Sequence, residues 1–212
     1  MKITQKLVLL GLLGFAGVAQ ANLLTNGGFE DSTSTTTTPT GWTNVGHSDG
    51  VIGYAVFGTP AYDGAYFYDL GGYGDPFGPI GDGIKQSFAT TIGASYKVSF
   101  GVSSENRSLD STLTASAAGS SFDYLFSPDG TGDFQKPFVS KSFSFIALSA
   151  LTTLSFIHTA GKGGNNDPLI DGVNVELASG GPNVGAVPLP GAAWLFGTAI
   201  AGFAGFGRRK VF

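Results

Sequence analysis

Residues 96–103 read Tyr-Lys-Val-Ser-Phe-Gly-Val-Ser, with a large apolar side chain at every second position. Successive side chains of a β-strand point to opposite faces of its sheet, so this alternation is typical of a strand with one buried face. The same period recurs in residues 84–88, 113–117, 122–126, 154–158 and 173–177. Further strand candidates are residues 51–57, 65–70 and 138–146. No segment between residues 22 and 186 shows a helical period, so the sequence predicts an all-β body.

Many short strands without crossover helices require antiparallel pairing. We therefore predict an antiparallel jelly-roll β-sandwich over residues 22–177. The 34 Gly among 212 residues favour tight turns, and this length fits one main domain. The chain has no Cys, which excludes disulfides, a thiol nucleophile and thiolate-bound zinc.

Charge is distributed unevenly along the chain. All 15 acidic residues lie between Glu30 and Glu176, together with six of the 11 basic residues, which gives this interval a net charge of −9. A body of this sign repels phosphate backbones, so nucleic acid is not an expected partner. Divalent cations are the more natural partners of such a surface.

Residues 1–21 have the organisation of a secretory signal peptide. Lys2 and Lys6 precede an apolar stretch over residues 7–18, and Ala19 and Ala21 occupy the two small-residue positions of a signal-peptidase site. Cleavage before Asn22 would release an exported protein. The alternative is an uncleaved anchor, but the apolar stretch is short for a membrane span, which needs about 20 residues.

The C-terminal region has three parts after a Gly/Ser/Pro/Asn-rich linker over residues 178–186. They are Val187, Pro188, Leu189 and Pro190, then an apolar run over residues 192–206, then Arg208, Arg209 and Lys210. With residues 189–207 included, the run predicts a minimal transmembrane helix, and its basic end favours a cytoplasmic position for the last residues. A simple tail anchor and a core helix are alternatives. A core helix is disfavoured because no polar face interrupts the run.

This tail, residues 187–212, resembles the PEP-CTERM sorting signal of Gram-negative bacteria, in which a Pro-containing motif precedes a hydrophobic helix and an Arg-rich end. Leu189 stands where the motif that names the family has Glu. The resemblance implies that an exosortase, a membrane processing enzyme, recognises Val187–Pro190. It further implies a transient or retained inner-membrane anchor and a final place at the outer surface or in the exopolysaccharide matrix of a biofilm.

Short motifs at the two ends of the body point to a second family. Residues 22–30 read NLLTNGGFE and are followed by Gly41-Trp42, by Asp63-Gly64 and by PLIDGV at residues 168–173. In this order they resemble the galactose-binding-like jelly rolls found among carbohydrate-binding modules. The resemblance implies a structural calcium ion between Glu30 on the first strand and Asp171 on the last, with Asp31 and Asp63 as weaker additions. Calcium takes six to eight oxygen ligands; the alternative is that these acids are simply solvated at strand ends.

Aromatic residues provide candidate sugar contacts. Five of the seven Tyr lie between residues 54 and 73, close in sequence to Trp42. Aromatic rings stack on the apolar faces of sugars, so we predict Trp42, Tyr62 and Tyr73 as exposed glycan contacts. The alternative is packing within strands, where Tyr is a favoured residue.

The sequence favours an enzymatic function less than a binding function. Residues 46–50 match the hydrolase pattern GxSxG, but that motif works at a strand-to-helix turn, whereas a strand is predicted after it. No catalytic residue is therefore predicted. The sequence favours a non-catalytic exported protein that binds exopolysaccharide or another glycan. The alternative is a structural biofilm or cell-surface protein that assembles through protein contacts, and a secreted hydrolase ranks third.

Overall fold

A computed structural model of the chain describes residues 21–31, 38–46, 50–53, 60–71, 80–105, 110–126, 137–161 and 167–178. The predicted signal peptide up to residue 20 and the sorting tail over residues 187–212 lie outside these ranges. Within the ranges, the structure contains no helix long and apolar enough to cross a membrane.

The described residues form ten strands in two five-stranded sheets. In chain order the strands are β1 Thr43–Val45, β2 Gly50–Gly53, β3 Tyr66–Asp69, β4 Gly83–Ala89, β5 Ser95–Ser104, β6 Ser111–Ala117, β7 Ser120–Phe126, β8 Val139–Ile146, β9 Leu151–Gly161 and β10 Pro168–Leu177. Sheet A has the order β1-β4-β9-β6-β7, and sheet B has the order β2-β3-β10-β5-β8. Every pairing is antiparallel. The predicted all-β antiparallel sandwich is confirmed.

The alternating segments form strands because one side of each faces the space between the sheets. Along β5, Tyr96, Val98 and Phe100 are buried while Lys97 is exposed. Phe100 meets Phe156 of sheet A with ring centroids 4.9 Å apart. Burying one such side chain contributes roughly 1.5–3 kcal/mol, so this apolar layer holds the two sheets together.

The first predicted strand is not a strand. Residues 22–31 form bends and turns, and Asn26 and Phe29 have φ of 51° and 58°, a left-handed conformation that no sheet ladder accepts. The segment is fixed by isolated hydrogen bonds instead, including one from the Leu23 amide to the Val175 carbonyl, 3.0 Å long. Glu30 therefore lies in a turn, and its expected place on a first strand is wrong.

The two ends of the sandwich differ in charge. One end consists of the turns over residues 89–95, 117–120 and 146–151, which contain no Asp, Glu, Lys or Arg; we call it the neutral end. These turns are tied together by hydrogen bonds such as that from the Gly93 amide to the Ala147 carbonyl, 2.8 Å long. The opposite end carries buried acids and contains the first of two candidate sites.

Candidate functional site

Three buried carboxylates meet at the end opposite the neutral end. Asp69 ends β3, Glu105 follows β5 and Asp167 precedes β10; we call them the acidic triad. One oxygen from each lies within 4.8 Å of the others, and the side chains are 3–6% exposed. Strand order brings them together, because β10 lies between β3 and β5. The amide of Glu105 also donates to the Asp167 carbonyl at 2.9 Å.

The donor set of the acidic triad fits a hard divalent cation. Calcium is bound by carboxylate and carbonyl oxygens, and the triad supplies carboxylates from three elements. Burying like charges close together is costly unless a positive charge accompanies them. Among the described residues this is the group of three acidic or imidazole side chains close enough to share an ion, and Glu30 and Asp171 do not belong to it.

A buried histidine lies against the triad. The Nδ1 atom of His158 is 3.5 Å from Asp167 Oδ1, and the ring is 1% exposed. Its Nε2 lies 3.2 Å from the Ala160 carbonyl, which can only accept, so Nε2 carries a proton. Burial lowers the pKa of His158, while the Ala160 carbonyl and the charge of Asp82 act in the opposite direction. In the neutral ring, the Nδ1 lone pair faces a carboxylate oxygen, a contact that a cation near Asp167 would relieve.

The second candidate site is centred on Tyr62, on the outer side of sheet B. The Tyr62 side chain is 44% exposed and lies over Gly101 of β5 and Gly172 of β10. A Cβ atom at Gly101 would lie 2.3 Å from Tyr62 Cγ, and one at Gly172 would lie 2.8 Å from Cδ1. Larger residues would therefore push the ring away, so glycine at both positions lets the ring rest on the sheet.

An apolar cluster adjoins this ring. Phe138 has its ring centroid 6.4 Å from that of Tyr62 and 5.5 Å from that of Phe67. Phe67 and Leu169 are fully buried and form a cluster separate from the main core. We call Tyr62, Phe138, Phe67 and Leu169 the Tyr62 face. It combines an exposed aromatic ring with a packed base, which is the arrangement that stacking on a sugar requires.

The two predicted calcium ligands support the loop that carries Tyr62. Glu30 Oε1 accepts hydrogen bonds from the amides of Ala65 and Tyr66, both at 2.8 Å. Asp171 Oδ2 accepts one from the Asp63 amide at 2.9 Å. Both carboxylates thus hold the segment that follows Tyr62. Their role as calcium ligands stays a prediction, and so do the additions Asp31, which is exposed, and Asp63.

Burial raises the pKa of Asp171 to about 7, although backbone hydrogen bonds from Asp63, Gly172 and Tyr62 act to lower it. The folded state thus keeps a proton that an unfolded Asp releases near pH 4, a normal pKa of about 3.9. The unfolded state binds fewer protons in this window, so the free energy of unfolding should fall as the pH rises from about 4 to 7.

We expect this slope, at most about 1.4 kcal/mol per pH unit, in denaturant unfolding of the protein in EDTA. Asp171→Asn should flatten it. A slope that survives in the Asn variant would assign the pH dependence to other carboxylates.

The prediction that Trp42 is an exposed contact is wrong. Its side chain is 6% exposed and lies between the sheets, with ring centroids 5.5 Å from Phe29 and 6.4 Å from Phe156. The indole Nε1–H donates to the Asn26 carbonyl at 3.0 Å. The polar edge of the ring is thus satisfied inside the core, and no face remains for a sugar. Tyr73 lies outside the described residues and stays a prediction, as do the sorting motif and Ala19.

Sequence reasoning did not find the acidic triad. Its members lie at positions 69, 105 and 167, with no motif linking them. The available signal was indirect: Asp69 and Asp82 bracket the Gly-rich stretch of residues 70–81, and both prove to be buried.

The fold is similar to that of carbohydrate-binding modules of known structure. The CBM22-1–CBM22-2 tandem of Xyn10C from Paenibacillus barcinonensis matches 79% of this chain at 18% identity, with a TM-score of 0.51; the match covers 49% of the tandem. The CBM22-1 xylan-binding domain of the same protein matches 76% of this chain and 97% of its own length, at 18% identity and a TM-score of 0.49. TmCBM61, solved with β-1,4-galactotriose, matches 74% of this chain and 99% of its own length, at 17% identity and a TM-score of 0.49.

No protein-family model and no curated protein matches the sequence. The matched structures named above are binding modules, whereas others are parts of enzymes. The likeness to the tandem shows the fold alone, given the low identity. The chain therefore contains a two-sheet antiparallel β-sandwich of the kind found in carbohydrate-binding modules.

Proposed function

We propose that this protein is an exported, non-catalytic glycan-binding protein that works at the cell surface or in the exopolysaccharide matrix of a Gram-negative bacterium. The observation that carries the proposal is the exposed ring of Tyr62, which rests on Gly101 and Gly172 beside Phe138. A sugar ring stacked there would meet an aromatic plane that is already held in place. A site that needs little ordering on binding loses less entropy.

Export and sorting are part of the proposal and rest on the sequence. The signal peptide would direct secretion, with cleavage between Ala21 and Asn22. An exosortase would then act at Val187–Pro190, and Arg208, Arg209 and Lys210 would hold the tail in the inner membrane until processing. In this scheme the domain of residues 22–177 is the part that meets the glycan.

A calcium ion at the acidic triad is the proposed cofactor. Asp69, Glu105 and Asp167 would hold it between the ends of β3, β5 and β10. Its role is structural, because it would neutralise buried carboxylates. The acids at Glu30 and Asp171 are the alternative location, implied by the family resemblance.

Affinity electrophoresis of the mature protein through gels that contain the host's own exopolysaccharide tests the glycan proposal. Tyr62→Ala is expected to abolish most of the retardation, because a stacked sugar ring loses its aromatic partner. The matched control is Phe122→Ala, an aromatic side chain that is 39% exposed on β7 of the other sheet. Circular dichroism confirms that both variants are folded.

A folded wild-type protein without retardation would contradict glycan binding. It would favour the second candidate function, a structural surface protein that assembles through protein contacts. The observation behind that candidate is β7, an edge strand of sheet A on which Leu125 is 67% exposed. Exposed apolar edge strands are templates for pairing with another chain. Concentration-dependent oligomers in analytical ultracentrifugation would then support assembly.

A further inference from the structure

Four large aliphatic side chains are exposed around the neutral end. Ile92, Ile146, Leu148 and Leu151 are 59–70% exposed. They come from two turns that touch, because the Thr90 amide donates to the Ala150 carbonyl at 2.9 Å and the Gly93 amide to the Ala147 carbonyl at 2.8 Å. We call these four side chains the apolar patch. Ile92 and Leu148 lie on the two turns, whereas Ile146 and Leu151 alternate with buried neighbours and face outward from sheet B and sheet A. Several large apolar side chains exposed around one end of a domain favour an interaction site there.

The chain leaves the sandwich beside this patch. The last described residue, Ala178, donates from its amide to the Ser95 carbonyl at 2.8 Å. Ser95 is paired with Ile146 of the patch and directly follows the turn that carries Ile92. Residues 179–191 come next in the sequence, followed by the apolar run over residues 192–206. The segment predicted to enter the membrane is thus tethered to the end of the domain that exposes the aliphatic side chains.

The tether is short. The thirteen residues 179–191 span at most about 45 Å when fully extended, and a flexible chain of that length averages about 20 Å from end to end. A surface held at that distance is presented at a high effective concentration, so that even a weak contact is populated. The apolar patch can therefore reach a bilayer that holds the tail.

The distribution of charged residues also favours an orientation in which the neutral end faces the bilayer. The three turns of the neutral end contain no charged residue, whereas the opposite end carries Asp69, Glu105 and Asp167. A bilayer that contains anionic lipids such as phosphatidylglycerol repels acidic surfaces. Of the two ends as the described residues form them, the neutral end meets such a bilayer at the lower electrostatic cost.

We propose that the apolar patch docks on the lipid bilayer while the C-terminal tail is inserted, so that the sandwich stands on its neutral end with its acidic end directed away from the membrane. This inference rests on the export and sorting part of the proposed function. It is independent of glycan binding. Ile92, Ile146, Leu148 and Leu151 would enter the headgroup region as shallow anchors, as apolar side chains of interfacial segments do.

Single-cysteine labelling of the full mature chain tests the proposal, because the protein has no Cys of its own. Leu148→Cys places a fluorescent nitrobenzoxadiazole probe in the patch. Leu125→Cys is the matched control, since Leu125 on β7 is 67% exposed and Leu148 is 70% exposed. Both proteins are reconstituted in vesicles of phosphatidylethanolamine and phosphatidylglycerol and separated by flotation.

In floating vesicles the probe at Leu148 should be shielded from aqueous iodide severalfold more than the probe at Leu125, and headgroup spin labels should quench it. Equal iodide quenching at both sites would overturn docking while leaving the anchor intact. Shielding without quenching by the lipid spin labels would also overturn it, because another protein copy would then cover the patch. Protein that fails to float would overturn both the anchor and the docking. Glycan retention of the same samples reports separately on the binding function.

Discussion

Replacing Trp42 with Ala is expected to lower the free energy of unfolding by about 3–5 kcal/mol, a large fraction of the 5–15 kcal/mol that a domain of this kind possesses. The indole fills the space between Phe29 and Phe156 and satisfies the Asn26 carbonyl. Truncation would leave a cavity in the layer that joins the sheets. Denaturant unfolding followed by circular dichroism measures the loss.

Trp42→Phe is the matched control for this prediction. It keeps most of the buried volume and removes the hydrogen bond to Asn26, so the expected cost is about 1–2 kcal/mol. Retardation by glycan should be unchanged in the Phe variant, since the ring does not reach the surface. Normal stability combined with lost retardation in Trp42→Ala would instead place the indole at a binding surface and contradict its buried position.

Calcium is expected to raise the midpoint of thermal unfolding by about 5–10 °C, and Glu105→Gln is expected to remove most of this rise. A ligand at about a hundred times its Kd adds about 2.7 kcal/mol, and each kcal/mol moves the midpoint of a domain of this size by about 2–4 °C. Glu105 supplies one of the buried carboxylates of the acidic triad. Calorimetry in calcium and in EDTA gives the two midpoints.

Two variants control for the position of the ion. Glu176→Gln makes the same chemical change on β10 at a partly exposed carboxylate and should keep the full rise. Glu30→Gln removes one of the ligands implied by the family resemblance. If Glu30→Gln abolishes the rise and Glu105→Gln does not, the ion belongs with Glu30 and Asp171 and the assignment to the triad is wrong. A midpoint that EDTA leaves unchanged in the wild-type protein contradicts both locations.

Most strands of the sandwich were predictable, because the alternation of apolar and polar residues lies within each strand's own sequence. The alternation of Tyr96, Val98 and Phe100 marks a strand whichever neighbours it pairs with. β1 was not predicted, since Thr43–Val45 is too short for an alternation to be visible. The place of Glu30 on a first strand was implied by the family resemblance, whereas the left-handed conformations of Asn26 and Phe29 cannot be read from their neighbours.

The candidate sites were predictable only where a single residue sufficed. Tyr62 was found because an aromatic side chain near turn residues is a visible feature. The two glycines under its ring could not be predicted, since Gly101 and Gly172 come together only through the pairing of β5 with β10. The acidic triad depends on the same strand order. Trp42 shows the converse: an aromatic residue flanked by polar ones does not reveal whether its ring faces the core or the solvent.

The hydrogen bond from the Asn22 side chain to the Val173 carbonyl joins residues 151 positions apart. The side-chain oxygen of Asn22 also accepts from the Val175 amide at 3.0 Å, so the segment that begins at residue 22 is attached to the last strand. Contacts between distant positions form late, because the chain between them must first be ordered. The sandwich therefore cannot close around its N-terminal segment until β10 is available. For the export proposed above, in which an extended polypeptide crosses a membrane, this delay is an advantage, since the fold is completed only after nearly the whole domain has emerged.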